Sequence, residues 1–219
     1  MYTNWVGDAS YGGKTEETIG RWLHSKGNRQ DIVLATKVRG RMWSGANGEG
    51  LSRLHVIRAC EDSLRQLQTD AIDLYQCHWA DLNTPIEETL SALDTLVKSG
   101  KVRYIGASNY PAWRIMEALA ASDKRGLARF DCYQPQYSLM ERQRFEYETM
   151  LLCKHHGVGV IPYSPLEAGF LTGKYRKDSS KPDSVCAGGN LDNYGNDRGW
   201  AVFSNHGPDY RSQLARAAH

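Results

Sequence analysis

The sequence has no C-x-x-C pair; its five cysteines, Cys60, Cys77, Cys132, Cys153 and Cys186, form an odd and widely spread set. A disulfide framework or a cysteine zinc site would look different, so they read as small buried hydrophobes. No apolar run approaches the roughly 18 residues that cross a bilayer, which predicts no membrane partner. An excess of either charge is also lacking. A net charge of +2 gives no electrostatic case for nucleic acid. The opening residues, MYTNWVGDAS, have neither the basic start nor the apolar stretch of a secretory signal, so a cytoplasmic location is expected. Finally, no G-x-G-x-x-G follows any candidate strand, and the usual dinucleotide turn of an open α/β sheet is therefore missing.

What is present is ordinary for a globular chain: 219 residues, 41% hydrophobic and 24% charged. Five β-rich runs stand out, at Ile32–Thr36, Ile72–Cys77, Val102–Ala107, Phe130–Tyr133 and Val158–Pro162. Helical periodicity fills the intervals. Ile57, Cys60, Leu64 and Leu67 recur at steps of three and four behind Ser52 as N-cap. Thr84-Pro85-Ile86-Glu87 spells a capping box, with Leu90, Leu93 and Val97 on one face and Gly100 as a left-handed stop. Pro111 opens a helix striped by Ile115, Met116 and Leu119, and another runs from about Glu141 to His156 before Gly157. Ahead of the first strand, Thr15 to Lys26 turns Ile19, Trp22 and Leu23 inward. Strand and helix in alternation mean βαβ units and a parallel sheet, with a barrel favoured over an open sheet. From residue 177 to 219 glycine, asparagine and serine accumulate and the pattern lapses into an irregular tail.

In parallel-sheet folds the active site forms at the C-terminal strand ends. Here those ends deliver Lys37, His78, Ser108-Asn109, Gln134 and Tyr163-Ser164. Each has a bland reading as a loop, cap or turn residue; together they face one another across a single rim. A lysine beside a histidine and a phenol is a way to shift pKa values for proton transfer. His155 and His156 are adjacent on a helix, point apart and have no carboxylate cluster, so no metal is expected.

Three strings carry a resemblance: Ile72-Asp-Leu-Tyr-Gln-Cys-His78; Gly-Lys-Val-Arg-Tyr-Ile-Gly-Ala-Ser-Asn over 100–109; and Ile-Pro-Tyr-Ser-Pro-Leu over 161–166, followed by Gly169-Phe-Leu-Thr-Gly-Lys-Tyr175. In this order and spacing they closely resemble the aldo-keto reductase family, in the bacterial branch related to potassium-channel beta subunits. The resemblance covers about residues 1–176 and implies a (β/α)8 TIM barrel with NADPH, or alternatively NADH, as cofactor and a small aldehyde or ketone as substrate. It makes Lys37 and His78 catalytic, with Tyr2 as proton donor ahead of the alternative Tyr11. It gives the nicotinamide carboxamide to Ser108, Asn109 and Gln134, the stacking aromatic to Tyr163, and the pyrophosphate loop to Ser164, Leu166 and Gly169. Trp43 and Trp79 would line the substrate pocket, with loop packing as the other reading of each. Against the family pattern, the first two strands and a catalytic aspartate would precede Met1, and an eighth strand is not recognisable after 176. Five strands, third to seventh, would then leave two open edges. That predicts weak stability, self-association and much reduced catalysis. The competing readings are a working reductase, a cofactor-binding regulatory subunit like the channel beta subunits, and a catalytically impaired family member.

Overall fold

The computed structural model describes residues 12–175, 177 and 187–205. Tyr2 and Tyr11 lie outside them. Among the described residues, those up to Pro135 together with Leu151–Ile161 make one compact unit; Gln136–Met150 and the residues from Pro162 onward make a second.

The first unit alternates helix and strand: α1 (Lys14–Lys26), β1 (Ala35–Val38), α2 (Arg53–Leu67), β2 (Ile72–Cys77), α3 (Ile86–Lys98), β3 (Val102–Ser108), α4 (Ala112–Arg125), β4 (Phe130–Gln134), most of α6 (Thr149–His156) and β5 (Gly159–Val160). All five strands are parallel and lie side by side in chain order. Successive helices touch one another in the same order, α1 on α2, α2 on α3 and α3 on α4, as a single layer does. The expected architecture is therefore present: an α/β arrangement of five parallel strands forming part of a (β/α)8 barrel.

Alternation along β2 separates the two faces. The Tyr75 ring is fully buried and its hydroxyl points to the Val56 carbonyl of α2, so odd positions face the helix layer. Gln76 faces the other way, and the register sets Lys37, Gln76, Gly106 and Cys132 in one row across the sheet. Gly106 is required there, because a Cβ would sit 2.8 Å from the Cys132 carbonyl oxygen and 3.2 Å from Gln76 Cγ. At the opposite end of the strands Asp73 is the clamp. Its carboxylate pairs with Arg29 and Arg103, each at 2.8 Å, and accepts the Leu34 N–H at 2.8 Å.

Several local expectations need correction. β1 begins at Ala35 rather than Ile32, because the Leu34 N–H is taken by the Asp73 side chain and not by the ladder. β5 is only two residues long, with Pro162 unable to donate beyond it. On α1 the buried residues are Glu16, Gly20 and Leu23. Gly20 lies so close to α2 that a Cβ would come within 2.3 Å of the Gln66 carbonyl, which turns Trp22 outward at 45% exposure. On α4 the buried stripe is Ile115, Ala118, Leu119 and Ser122, leaving Met116 partly exposed one position round the helix. Ser52 does cap α2 through the His55 N–H, but Thr84 caps nothing. Its hydroxyl donates instead to Asp81 Oδ2 at 2.9 Å. The helix expected from Glu141 to His156 is two pieces, α5 (Gln143–Glu146) and α6.

The second unit gathers around Met140, Phe170, Leu171 and Tyr175, all buried. Inside the segment expected to be irregular, α7 (Ala187–Tyr194) and α8 (Asp197–Asn205) are helical. Leu191, Tyr194, Trp200 and Val202 pack on that core, which rewards helix formation that sparse apolar residues alone do not signal.

The row geometry makes a direct prediction. Gly106→Ala should destabilise the chain by about 1–3 kcal/mol through overpacking against immovable backbone, seen as a lower urea midpoint with an unchanged slope. An unchanged midpoint would mean that the Gln76–Gly106–Cys132 row is not packed as described.

Candidate active site

Lys37 and Gln76 are register partners, and His78 stands two residues beyond Gln76 on the same face. One strand across (about 4.8 Å) and two residues along (about 6.6 Å) put the Lys37 and His78 Cα atoms about 8 Å apart, within one small substrate's width. The His78 N–H donates to the Val38 carbonyl at 2.9 Å, locking the two strand ends together. Burial, and then the positive charges of Lys37 and Arg39, lower the His78 pKa to about 4. Burial also lowers the Lys37 pKa. His78 is therefore a neutral imidazole at physiological pH.

A chain of hydrogen bonds ties the next two strand ends to His78. Asn109 takes a left-handed conformation at φ 59, and its Nδ2 donates to the His78 carbonyl at 3.1 Å and to Ser108 Oγ at 3.0 Å. Ser108 Oγ donates to the Gln134 carbonyl at 2.8 Å. Both Ser108 and Asn109 are buried, and Gln134 is half-buried. Lys37, His78, Ser108, Asn109 and Gln134 thus stand at neighbouring strand ends of the first unit.

The two tryptophans differ. Trp79 is 41% exposed, its ring centroid 6.2 Å from that of His78. Trp43 packs on α2: its ring is 5.0 Å from His55, and the Arg58 guanidinium lies over it at 4.6 Å. Those contacts favour the loop-packing reading for Trp43 over a pocket wall.

In the second unit Tyr163 pairs with Gln136 in a parallel bridge, and its carbonyl accepts the Tyr137 N–H at 3.3 Å. Ser164 has φ 55 and accepts the Glu167 N–H at 3.0 Å; Leu166 accepts from the N–H groups of Gly169 and Leu171. Glu167, Ala168 and Gly169 follow one another at positive φ, a conformation held only where surroundings enforce it. A Cβ on Gly169 would lie 2.9 Å from Lys174 Nζ, so a cation sits against the loop.

Sequence reasoning assigned no role to Lys174, although the Gly-Lys-Tyr string contains it. It also passed over Asp81, which accepts from Leu51 N–H (2.8 Å), Asn83 N–H (3.0 Å) and Thr84 Oγ1 (2.9 Å). The Asp-x-Asn-Thr-Pro run is a turn signal that marks it. Gln76 carried no sequence signal; it is fully buried, and neither side-chain polar atom has a partner among the described residues. Among those residues there is also no group of three His, Cys, Asp or Glu placed to hold a metal, and no helix is long and apolar enough to cross a membrane.

The model of the aldo/keto reductase family matches residues 8–199. The chain belongs to that family. A protein of Arabidopsis thaliana named as a probable voltage-gated potassium channel subunit beta is 38% identical over 187 residues, covering 84% of this chain and 55% of the relative. The uncharacterized oxidoreductase YrpG of Bacillus subtilis is 41% identical over 173 residues, 77% of this chain and 53% of the relative. Norsolorinic acid reductase B of Dothistroma septosporum is 35% identical over 178 residues, 77% of this chain and 45% of the relative. The chain spans about half the length of these curated relatives.

The electrostatics of this aldo/keto reductase site are directly measurable. In an imidazole NMR titration His78 should stay neutral down to about pH 4, and Lys37→Met should raise its pKa by removing the nearer charge. A His78 that titrates near 6.5 in both forms would refute the arrangement. Because the folded pKa lies below the unfolded one, the unfolded state takes up the proton first. This group's contribution to stability is therefore complete above about pH 6.5 and is lost as pH falls toward 4.

Proposed function

We propose that the chain reduces an aldehyde or ketone to an alcohol with NADPH, the proton coming from Tyr2. The observation that carries this reading is Lys37 beside a neutral His78 on one face of adjacent strand ends. A carbonyl that accepts hydride at carbon gathers negative charge on its oxygen and needs a proton there. The nicotinamide, when bound, supplies the hydride. His78, neutral well below pH 7, donates a hydrogen bond that orients the carbonyl without acting as the acid. The Lys37 ammonium draws the Tyr2 phenol down from its ordinary pKa of about 10, so that it can give its proton to the oxygen and be reprotonated from solvent.

The residues present fit such a cofactor. Ser108, Asn109 and Gln134 bring amide and hydroxyl groups together at the strand ends, suited to a carboxamide. The positive-φ run at 167–169 with Lys174 against it suits a diphosphate. Tyr163, Ser164, Leu166 and Gly169 belong to that same unit. Relatives named as reductases and oxidoreductases support the reading. Relatives named as channel subunits support the alternative, a cofactor-binding regulatory role. Lys37 and His78 tip the balance, because binding alone needs neither.

Fluorescence titration with NADPH and NADH, followed by an assay with a simple aldehyde, decides between them. The chain should bind nucleotide and turn over. Tyr2→Phe should abolish reduction and leave nucleotide binding nearly unchanged. Full activity in that variant would move the proton-donor role elsewhere; binding without any reduction in the unmodified chain would favour the regulatory reading.

A further inference from the structure

We propose that the helices at 187–205 fasten the loop 164–173, and that Glu167 and Tyr194 are positioning residues for dinucleotide binding. What the loop binds rests on the oxidoreductase reading above; that the helices fasten it does not. Glu167 is 3% exposed and sits at φ 46, where a side chain is rarely found. Three neutral donors converge on its carboxylate: Ser138 Oγ, Gln136 Nε2 at 3.1 Å and Tyr194 Oη at 2.7 Å. Ser138 is itself aimed, since its Oγ accepts the N–H groups of Met140 and Glu141, leaving its hydrogen for Glu167. Tyr194 grips the loop a second time through its ring, 5.5 Å from that of fully buried Phe170.

The two helices are built for this grip. Gly199 has no side chain where a Cβ would lie 1.9 Å from the Tyr194 carbonyl oxygen, so α8 closes directly on the end of α7. Trp200 completes the cage around Phe170 at 5.5 Å, and Arg198 Nη2 donates to the Met140 carbonyl at 2.8 Å. A buried carboxylate without its donors is costly, and a left-handed glutamate persists only where neighbours enforce it. The loop's shape is therefore conditional on Tyr194. A ligand that prefers this shape must in turn favour docking of α7, by the reciprocity of linkage.

Tyr194→Phe keeps the ring and removes only the hydroxyl. It should raise the NADPH dissociation constant about tenfold, the usual scale for one hydrogen bond to a charged group. KM for NADPH should rise while kcat at saturating NADPH is retained. Glu167→Gln should lose at least that factor, and the double variant no more than Glu167→Gln alone, because the Tyr194 hydrogen bond is one of those it breaks. In the nucleotide-free protein, amides at 164–173 should exchange faster in Tyr194→Phe. Losses that simply add, unchanged NADPH affinity, or tighter binding in Glu167→Gln would each overturn the proposal. If the unmodified chain binds neither NADPH nor NADH, the oxidoreductase reading falls, and amide exchange still decides the fastening. Equal exchange at 164–173 in the two proteins overturns it.

Discussion

Asn109 Nδ2 reaches the His78 carbonyl and Ser108 Oγ together, and Ser108 hands its own hydroxyl hydrogen to the Gln134 carbonyl. Parallel strands end with unpaired carbonyls that a loop must satisfy or surrender to water. Here two adjacent side chains satisfy them, and in doing so they fix where three strand ends stand. The His78 N–H continues the line to Val38, and so to the strand that carries Lys37. The left-handed turn at Asn109 is what points its amide back along the rim instead of outward. Without that turn the lysine and histidine would still be held on neighbouring strands by the His78–Val38 bond, but the ends of β3 and β4 would lose their tie to them.

Given that frame, the electrostatics follow. A histidine placed among Lys37 and Arg39 and partly withdrawn from water cannot keep a proton near neutrality. Under the proposed function, this would separate two duties that an exposed histidine would confuse: donating a hydrogen bond, and supplying an acid. Only a group with a higher pKa can fill the second.

The strands were legible as short apolar, β-rich runs and the helices between them as a 3.6-residue period, interrupted by proline and glycine. Ile72–Cys77 needed no revision. The misreadings share a cause. Trp22 and Met116 are apolar and correctly spaced, but the buried faces run through Gly20, where smallness lets α1 approach α2, and through Ile115, Ala118 and Leu119, which leaves the two larger side chains outside. Thr84 looked like a cap until a carboxylate three residues earlier proved the better partner. Of the site, the strand-end residues were visible from position alone. Glu167 was not, because a positive φ at a non-glycine residue leaves no mark in the sequence. Nor was Tyr194, whose partner lies 27 positions away.

Asp81 has a consequence for how the loops around it can change. Its carboxylate holds the N–H of Leu51 at the close of the β1–α2 loop and the Asn83 and Thr84 groups near the end of the β2–α3 connection. Arg114 secures the second of these from α4, through the carbonyls of Asp81 and Thr84. Trp43 and Trp79 therefore ride on segments that share an anchor. Reshaping one loop would strain the other through that shared aspartate, so the two are better diversified as a pair than one at a time.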